Sequence, residues 1–371
     1  MGEFKKPYAV RIGGQGVTRE LSIGGDAPVS IQTMWKSPLP GADLQDIART
    51  LGGLEQLGCD IVRFAVPDME SADALVLLSE MTPMPLVADI HFDYRLALRC
   101  LDGNVAKIRI NPGNIGSEDR VRAVVEKATD RNAAIRIGVN SGSLPKDLAE
   151  RVERARASGD STRVRAEALA EAASREAAVF DSLNFKRVVV SMKASSVAET
   201  VLCNEDFARK FDIPLHIGVT EAGPLIGGIV KSTLAFSRLL GKGIGSTVRV
   251  SLSDSLENEV IAGREILTEC GKRPTRVRIV SCPRCGRNGF DVHAFVSRWQ
   301  RELMSLDKEI TVAVMGCVVN GPGEGKHADI GITGAGDRVL IFRHGETVRT
   351  VSVADGFDAA DQAFREELGK L

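Results

Sequence analysis

Between residue 27 and about residue 252 the chain repeats one unit: a short apolar, β-branched run, a polar or charged residue or two, then an amphipathic stretch of helical period. Strands separated by crossover helices pair in parallel, so the alternation predicts a parallel sheet wrapped by helices. The runs are 29–33, 61–65, 86–89, 106–110, 134–139, 187–191, 215–219 and 248–252. Eight such runs predict a closed (β/α)8 barrel of TIM type. The intervening helices fit, since Val121, Val124, Val125 and Ala128 fall at i, i+3, i+4 and i+7 while Arg122, Glu126 and Lys127 are left for solvent. Residues 151–162 break the rhythm; charged and poor in large apolar side chains, they read as a mobile surface loop. Residues 11–23, rich in glycine and short apolar pairs, read as a hairpin over one barrel end.

After residue 270 the stretch Gly271-Lys272-Arg273-Pro274-Thr275 reads as a linker. Beyond it, strand-like runs at 277–280, 310–314, 329–332 and 339–342, with helical patterns at 294–303 and 357–368, predict a small α/β domain. The expected division is a substrate-binding barrel domain over 1–270 and a metal-carrying domain over 271–371.

A chain of 371 residues with 43% hydrophobic and 26% charged residues has the composition of an ordinary folded protein. Its formal net charge of -1 provides no global basic field for nucleic acid or an anionic membrane. Residues 1–8 lack the apolar core of a signal peptide, and no apolar run reaches bilayer length, so a cytoplasmic protein is expected.

In a (β/α)8 barrel the working side chains stand where strands end, and here those positions are unusually charged. Arg63, Arg109, Arg136, Lys193 and Arg249 sit at or just after five of the runs. Asn111, Asn140 and Ser251 follow three of them at a spacing of two or four, which keeps the same face of an extended chain. Against a net charge near zero, five converging cations imply a polyanionic ligand, because guanidinium groups bind phosphate bidentately. Asp89 and His91 leave the third run together and Glu221 closes the seventh, placing candidate acid/base groups beside the cations; Asp89 could equally serve to orient an arginine. His293, His327 and His344 read as surface or loop residues.

Of seven cysteines, Cys59, Cys100, Cys203 and Cys270 stand alone in or beside apolar helical patterns and read as small buried side chains. The other three gather between Cys282 and Glu324: Cys282-Pro283-Arg284-Cys285 opens the stretch, and Gly316-Cys317 leads to Gly321-Pro322-Gly323-Glu324. Two cysteines separated by two residues can bite one metal, with a third from a distant loop. By spacing alone a structural zinc and an iron-sulfur cluster are both open. The count of three thiols, the tight turn over 320–324 and the enzyme-like barrel favour the cluster.

The chain resembles the 4-hydroxy-3-methylbut-2-en-1-yl diphosphate synthase family over nearly its whole length. The resemblance is carried by Pro85-Leu86-Val87-Ala88-Asp89-Ile90-His91-Phe92-Asp93, Arg109-Ile110-Asn111-Pro112-Gly113-Asn114-Ile115-Gly116, Arg136-Ile137-Gly138-Val139-Asn140, Thr220-Glu221-Ala222-Gly223 and the segment from Gly316-Cys317 to Gly323-Glu324. Small departures are Ser246 where the family usually has Asp, and Ser255-Leu256 where Asp-Pro is common. The resemblance implies one [4Fe-4S] cluster ligated by Cys282, Cys285, Cys317 and Glu324, and 2-C-methyl-D-erythritol 2,4-cyclodiphosphate bound at the barrel mouth. The implied reaction is reductive dehydration to 4-hydroxy-3-methylbut-2-enyl diphosphate, in the methylerythritol phosphate route to isoprenoids. Arg63, Arg109, Arg136, Lys193 and Arg249 would neutralise the diphosphate, Asn111, Asn140 and Ser251 would orient it, and Glu221, helped by His91 and Asp89, would give the proton. A flavodoxin or ferredoxin donor and a homodimer, one subunit's cluster domain over its partner's barrel, complete what the resemblance implies.

Overall fold

The computed structural model describes residues 4–158, 161–283, 285, 289–318, 325–352 and 358–371. The chain forms two compact units, Met1–Arg273 and Pro274–Leu371. In the first, β1 (Val10–Ile12) and β2 (Leu21–Ile23) pair antiparallel. Eight parallel strands follow: β3 (Ser30–Met34), β4 (Ile61–Ala65), β5 (Leu86–Asp89), β6 (Lys107–Ile110), β7 (Ala134–Asn140), β8 (Val188–Lys193), β9 (His216–Ile217) and β10 (Thr247–Val248). Their order is β8-β7-β6-β5-β4-β3-β10-β9, and a parallel bridge between Val190 and Leu215 sets β8 beside β9, so the sheet nearly closes into the expected barrel.

Alternation along these strands separates two environments. One face, with Val62, Phe64, Ala88, Ile108, Ile110, Ile135, Ile137, Val188 and Val190, is apolar and buried, as a strand face covered by helices must be. The inward face is apolar only at its N-terminal end, where Ile61, Val87, Ala134 and Val189 pack on Val10, Ile12 and Ile23 of the β1–β2 hairpin. The stretch over 11–23 is therefore the barrel's floor. Above that layer the inward positions are polar.

Helix boundaries follow local chemistry. The helix Leu44–Leu57 starts where the Asp43 carboxylate accepts the N–H groups of Gln45 and Asp46, and stops at Gly58, whose φ of 106° ends it in the left-handed region. One expectation fails here. Residues expected to form a mobile loop over 151–162 lie instead mainly in two helices, Lys146–Ser158 and Ser161–Ser182. The charges that suggested a loop are their solvent faces and the ion pairs between them, Arg151 with Glu171 and Arg175 with Asp147, each at 2.8 Å. Strands also shift: β8 ends at Lys193, and β9 and β10 are only two residues long.

The second unit holds a five-stranded sheet, β11 (Val277–Ser281), β12 (Ile310–Met315), β13 (Ile330–Ala335), β14 (Arg338–Arg343) and β15 (Glu346–Ser352), in sequential order. β11, β12 and β13 run parallel, and β14 and β15 fold back antiparallel. Helices Val292–Met304 and Asp358–Leu368 cover one face through Phe295, Trp299 and Phe364. β15 was not expected; it is an edge strand, mostly exposed, with no apolar run to mark it. Among the described residues no helix is long and apolar enough to cross a membrane.

Candidate active site

The polar upper half of the barrel lumen is built by register. Pairing sets Met34 beside Arg63, Asp89 beside Arg109, Arg109 beside Arg136, and Asn140 beside Lys193, and partners in a parallel ladder project to the same face. The cations are packed against one another with few counter-charges. Arg109 donates to Asp89 at 3.2 Å and to the Gly138 carbonyl at 3.1 Å, and lies 3.1 Å from His91 Nε2. Arg63 Nε lies 3.6 Å from Asp89. Arg136 donates to Ser191 Oγ at 2.7 Å, while its Nε and Nη2 are buried with no partner. Arg249 donates to both oxygens of Glu259 at 3.3 Å, and Glu259 also accepts from Thr33 Oγ1 and the Leu252 N–H.

Two glycines make this crowding possible. A Cβ on Gly138 would lie 2.4 Å from Arg109 Nε, and one on Gly218 would lie 3.0 Å from Lys193 Nζ. Larger residues there would force the arginine and the lysine out of position.

Electrostatically the lumen is a cation cluster. Six basic side chains, Arg63, Lys107, Arg109, Arg136, Lys193 and Arg249, face two carboxylates, Asp89 and Glu259, and Glu259 is also paired with Lys36 at 3.3 Å. Burial, against the pull of Asp89, pushes the Arg63 guanidinium down to about 10. Burial and neighbouring arginines push Arg136, Lys107 and Lys193 well below their usual ranges. Burial alone would raise the Asp89 carboxyl, but Arg63, the hydrogen bond with His91 and Arg109 outweigh it and hold it well below the usual carboxylate range. In that setting Asp89 is an anion at neutral pH that positions two arginines.

Of the residues singled out from sequence, the fold gathers Arg63, Asp89, Arg109, Arg136, Lys193 and Arg249 in one lumen, with His91 exposed at the rim. Asn111 ends β6, but its Oδ1 accepts the Gly113 N–H, so it caps the following turn. Asn140 is half-buried at the end of β7, and Ser251 is half-buried three residues past the end of β10. Glu221 is exposed on the turn after β9, in the left-handed region at φ 50°, with no ion pair to the lumen cations among the described residues. Sequence reading missed Lys107, His216, Gln32, Met34, Ser191 and Glu259. Lys107 stands two residues before Arg109 and Ser191 two before Lys193, so strand periodicity carried a signal for both. His293, His327 and His344 are exposed, as expected, and Cys59, Cys100 and Cys203 are buried, with burial pushing the Cys59 and Cys100 thiols up to about 12; Cys270, expected to be buried too, is only half-buried because it caps the end of its helix.

In the second unit, Cys282 follows β11 and Cys317 lies two residues past β12, so parallel pairing puts both at the same end of neighbouring strands. The Gly316 N–H donates to Cys282 Sγ at 3.0 Å, the kind of backbone contact that orients a sulfur ligand. Cys285 is exposed nearby in sequence. Among the described residues no three His, Cys, Asp or Glu side chains converge as a metal-binding group, and Glu324 lies outside the described residues. Cysteines at the same end of two neighbouring strands, with an N–H aimed at one sulfur, fit an iron-sulfur group.

Residues 15–264 match the family model of the GcpE TIM-barrel domain, and residues 278–366 that of the GcpE protein C-terminal domain. Curated relatives of the whole chain agree. The chain is similar to the 4-hydroxy-3-methylbut-2-en-1-yl diphosphate synthase (flavodoxin) of Treponema denticola, 61% identical with 100% of both chains covered. That of Treponema pallidum is 66% identical over 97% of this chain and 91% of the relative. The protein of the same name from Geobacter sulfurreducens is 43% identical over 95% of this chain and 96% of the relative.

Proposed function

This chain belongs to the GcpE family, and on that premise we propose that it converts 2-C-methyl-D-erythritol 2,4-cyclodiphosphate into 4-hydroxy-3-methylbut-2-enyl diphosphate. The reaction takes up two electrons and two protons, opens the ring at carbon and releases water. The observation that carries the substrate reading is the surplus of buried cations in the lumen, with guanidinium nitrogens of Arg136 left unpartnered. Such a cluster is costly until an anion occupies it. A barrel domain over 1–270 binds this substrate, and a domain over 271–371 carries the redox group. When bound, a [4Fe-4S] cluster on Cys282, Cys285, Cys317 and Glu324 supplies the electrons, received from flavodoxin, the donor in the relatives' name, or ferredoxin.

The chain's own groups do the remaining work. Arg63, Arg109, Arg136, Lys193 and Arg249 neutralise the two phosphates, and Asp89 keeps Arg63 and Arg109 aimed. Asn111, Asn140 and Ser251 orient the ligand from the strand ends. The β1–β2 floor packs an apolar layer beneath the lumen. Glu221, exposed at the mouth on a left-handed turn, protonates the departing hydroxyl, with His91 assisting at the rim. A homodimer is part of the reading, supported by Ile226, Val230 and Leu234, an exposed apolar stripe at i, i+4 and i+8 of the helix Leu225–Leu240. The lone buried thiols of Cys59, Cys100 and Cys203 suit the reducing cytoplasm.

The test is anaerobic reconstitution with iron and sulfide, then turnover of the cyclodiphosphate with a chemical reductant. Zinc without iron and sulfide in anaerobically purified protein would sink the redox reading. Glu221→Gln should keep the cluster's absorption spectrum and lower kcat roughly 10²- to 10⁴-fold; undiminished turnover removes Glu221 from proton transfer. Light scattering should report a dimer.

A further inference from the structure

Below the strand-end cations lies a polar layer to which the reaction has so far given no task. Lys107 is wholly buried on the inward face of β6, and its Nζ has no hydrogen-bond partner. Gln32, inward on β3, is buried with neither amide atom partnered. Across the lumen Lys193 Nζ lies 2.9 Å from His216 Nε2, and His216 Nδ1 lies 3.3 Å from Thr247 Oγ1.

Hydrogen-bond chemistry limits what these groups can carry. A hydrogen bond between two nitrogens needs a lone pair on one of them, so an ammonium at Lys193 and an imidazolium at His216 exclude each other. A buried ammonium without an acceptor loses its hydration with no return, which favours the neutral amine at Lys107. The surrounding charge acts in the same direction. Arg63 on β4, Arg109 on β6, Arg136 on β7 and Arg249 just past β10 all face this space, while Asp89 on β5 is already shared between Arg63 and Arg109 and Glu259 is taken up by Arg249 and Lys36. β3, β8 and β9 add Gln32, Ser191 and His216 and no further anion. Burial first, then these cations, push Lys107, Lys193 and His216 down. Without a bound anion the lumen is thus short of protons. An anion seated on the arginines offsets the part of this effect that the cations contribute.

We propose that seating the cyclic diphosphate draws protons into the barrel, onto Lys107 and onto the Lys193–His216 pair. The inference rests on the substrate reading above and deepens it. Each phosphorus of the cyclic ligand carries one strongly acidic hydroxyl, ionised far below neutral pH, so protons taken up near neutrality belong to the protein. Two acceptor sites match the two protons that the reaction consumes.

The test is calorimetric titration of the reconstituted enzyme with the cyclodiphosphate, without reductant and therefore without turnover, at about pH 8 in buffers of different ionisation enthalpy. The expected result is a net uptake of about one to two protons per barrel. In Lys107→Met, which replaces an unpaired amine by an apolar chain of similar length, binding persists and uptake falls by about one proton. Binding heats equal in every buffer would overturn the inference while leaving the substrate reading intact, and this arm needs no variant. Uptake unchanged in a folded Lys107→Met protein would overturn the role of Lys107. Absence of binding would overturn the substrate reading and this inference together.

Discussion

Arg136 shows how one side chain can serve binding at the expense of stability. It is buried at the centre of the cation cluster, gives one hydrogen bond to Ser191, and leaves Nε and Nη2 with none. A buried charge so poorly compensated destabilises the free protein. Arg136→Met should therefore raise stability by about 1–3 kcal/mol in thermal or urea unfolding, while kcat/KM falls roughly 10²-fold. A variant both less stable and fully active would contradict the assignment. Asp89 behaves oppositely, because Arg63 and Arg109 both depend on it. Asp89→Asn should cost about 3–5 kcal/mol at neutral pH. Since the folded carboxyl is held below its unfolded value of about 3.9, its contribution is complete above that pH and is lost as pH falls further. The stability gap between wild type and Asp89→Asn should accordingly close in acid, as measured by urea midpoints across the pH range. A constant gap would show that Asp89 acts through packing alone.

At the scale of elements, glycines on strands separate two kinds of constraint. On β7 the space next to Gly138 is filled by the flexible Arg109 side chain, which can retreat. Gly138→Ala should leave the melting temperature nearly unchanged but weaken substrate binding, seen as a KM raised about 10-fold, because Arg109 loses its place against the Gly138 carbonyl. On β13 a Cβ at Gly331 would lie 2.1 Å from the ring of Phe342, held wholly buried on β14. That ring cannot move aside cheaply, so Gly331→Ala should cost about 1–3 kcal/mol in unfolding experiments. Equal behaviour of the two variants would undo the distinction. Both glycines stand in the sequence as plainly as the arginines, yet what each makes room for depends on register across strands. The charged segment over 151–162 makes the complementary point, since local composition there suggested a loop while pairing between two helices, Arg151 with Glu171, uses the same charges.

In the whole molecule each unit carries one tryptophan. Trp35 stacks on Phe64 in the barrel at 5.7 Å, and Trp299 stacks on Phe295 in the second unit at 5.6 Å. If Cys282, Cys285 and Cys317 hold the metal, removing iron anaerobically should lower the transition reported by Trp299 in a Trp35→Phe variant by roughly 5 °C or more, and leave that reported by Trp35 in a Trp299→Phe variant in place. Equal shifts of both would mean that ligands reach beyond the second unit. The sequence by itself determined the eightfold strand-helix alternation, the cations at strand ends and the cysteine spacing, because periodicity and spacing are properties of a short stretch of chain. The tertiary structure alone decided that Asp89 serves Arg63 and Arg109, that Glu259 reaches from the last barrel helix to Arg249, and that Lys107 and His216 lie beneath the mouth. Those relations join residues far apart in the chain, and they exist only once register and barrel closure have set neighbouring strands side by side.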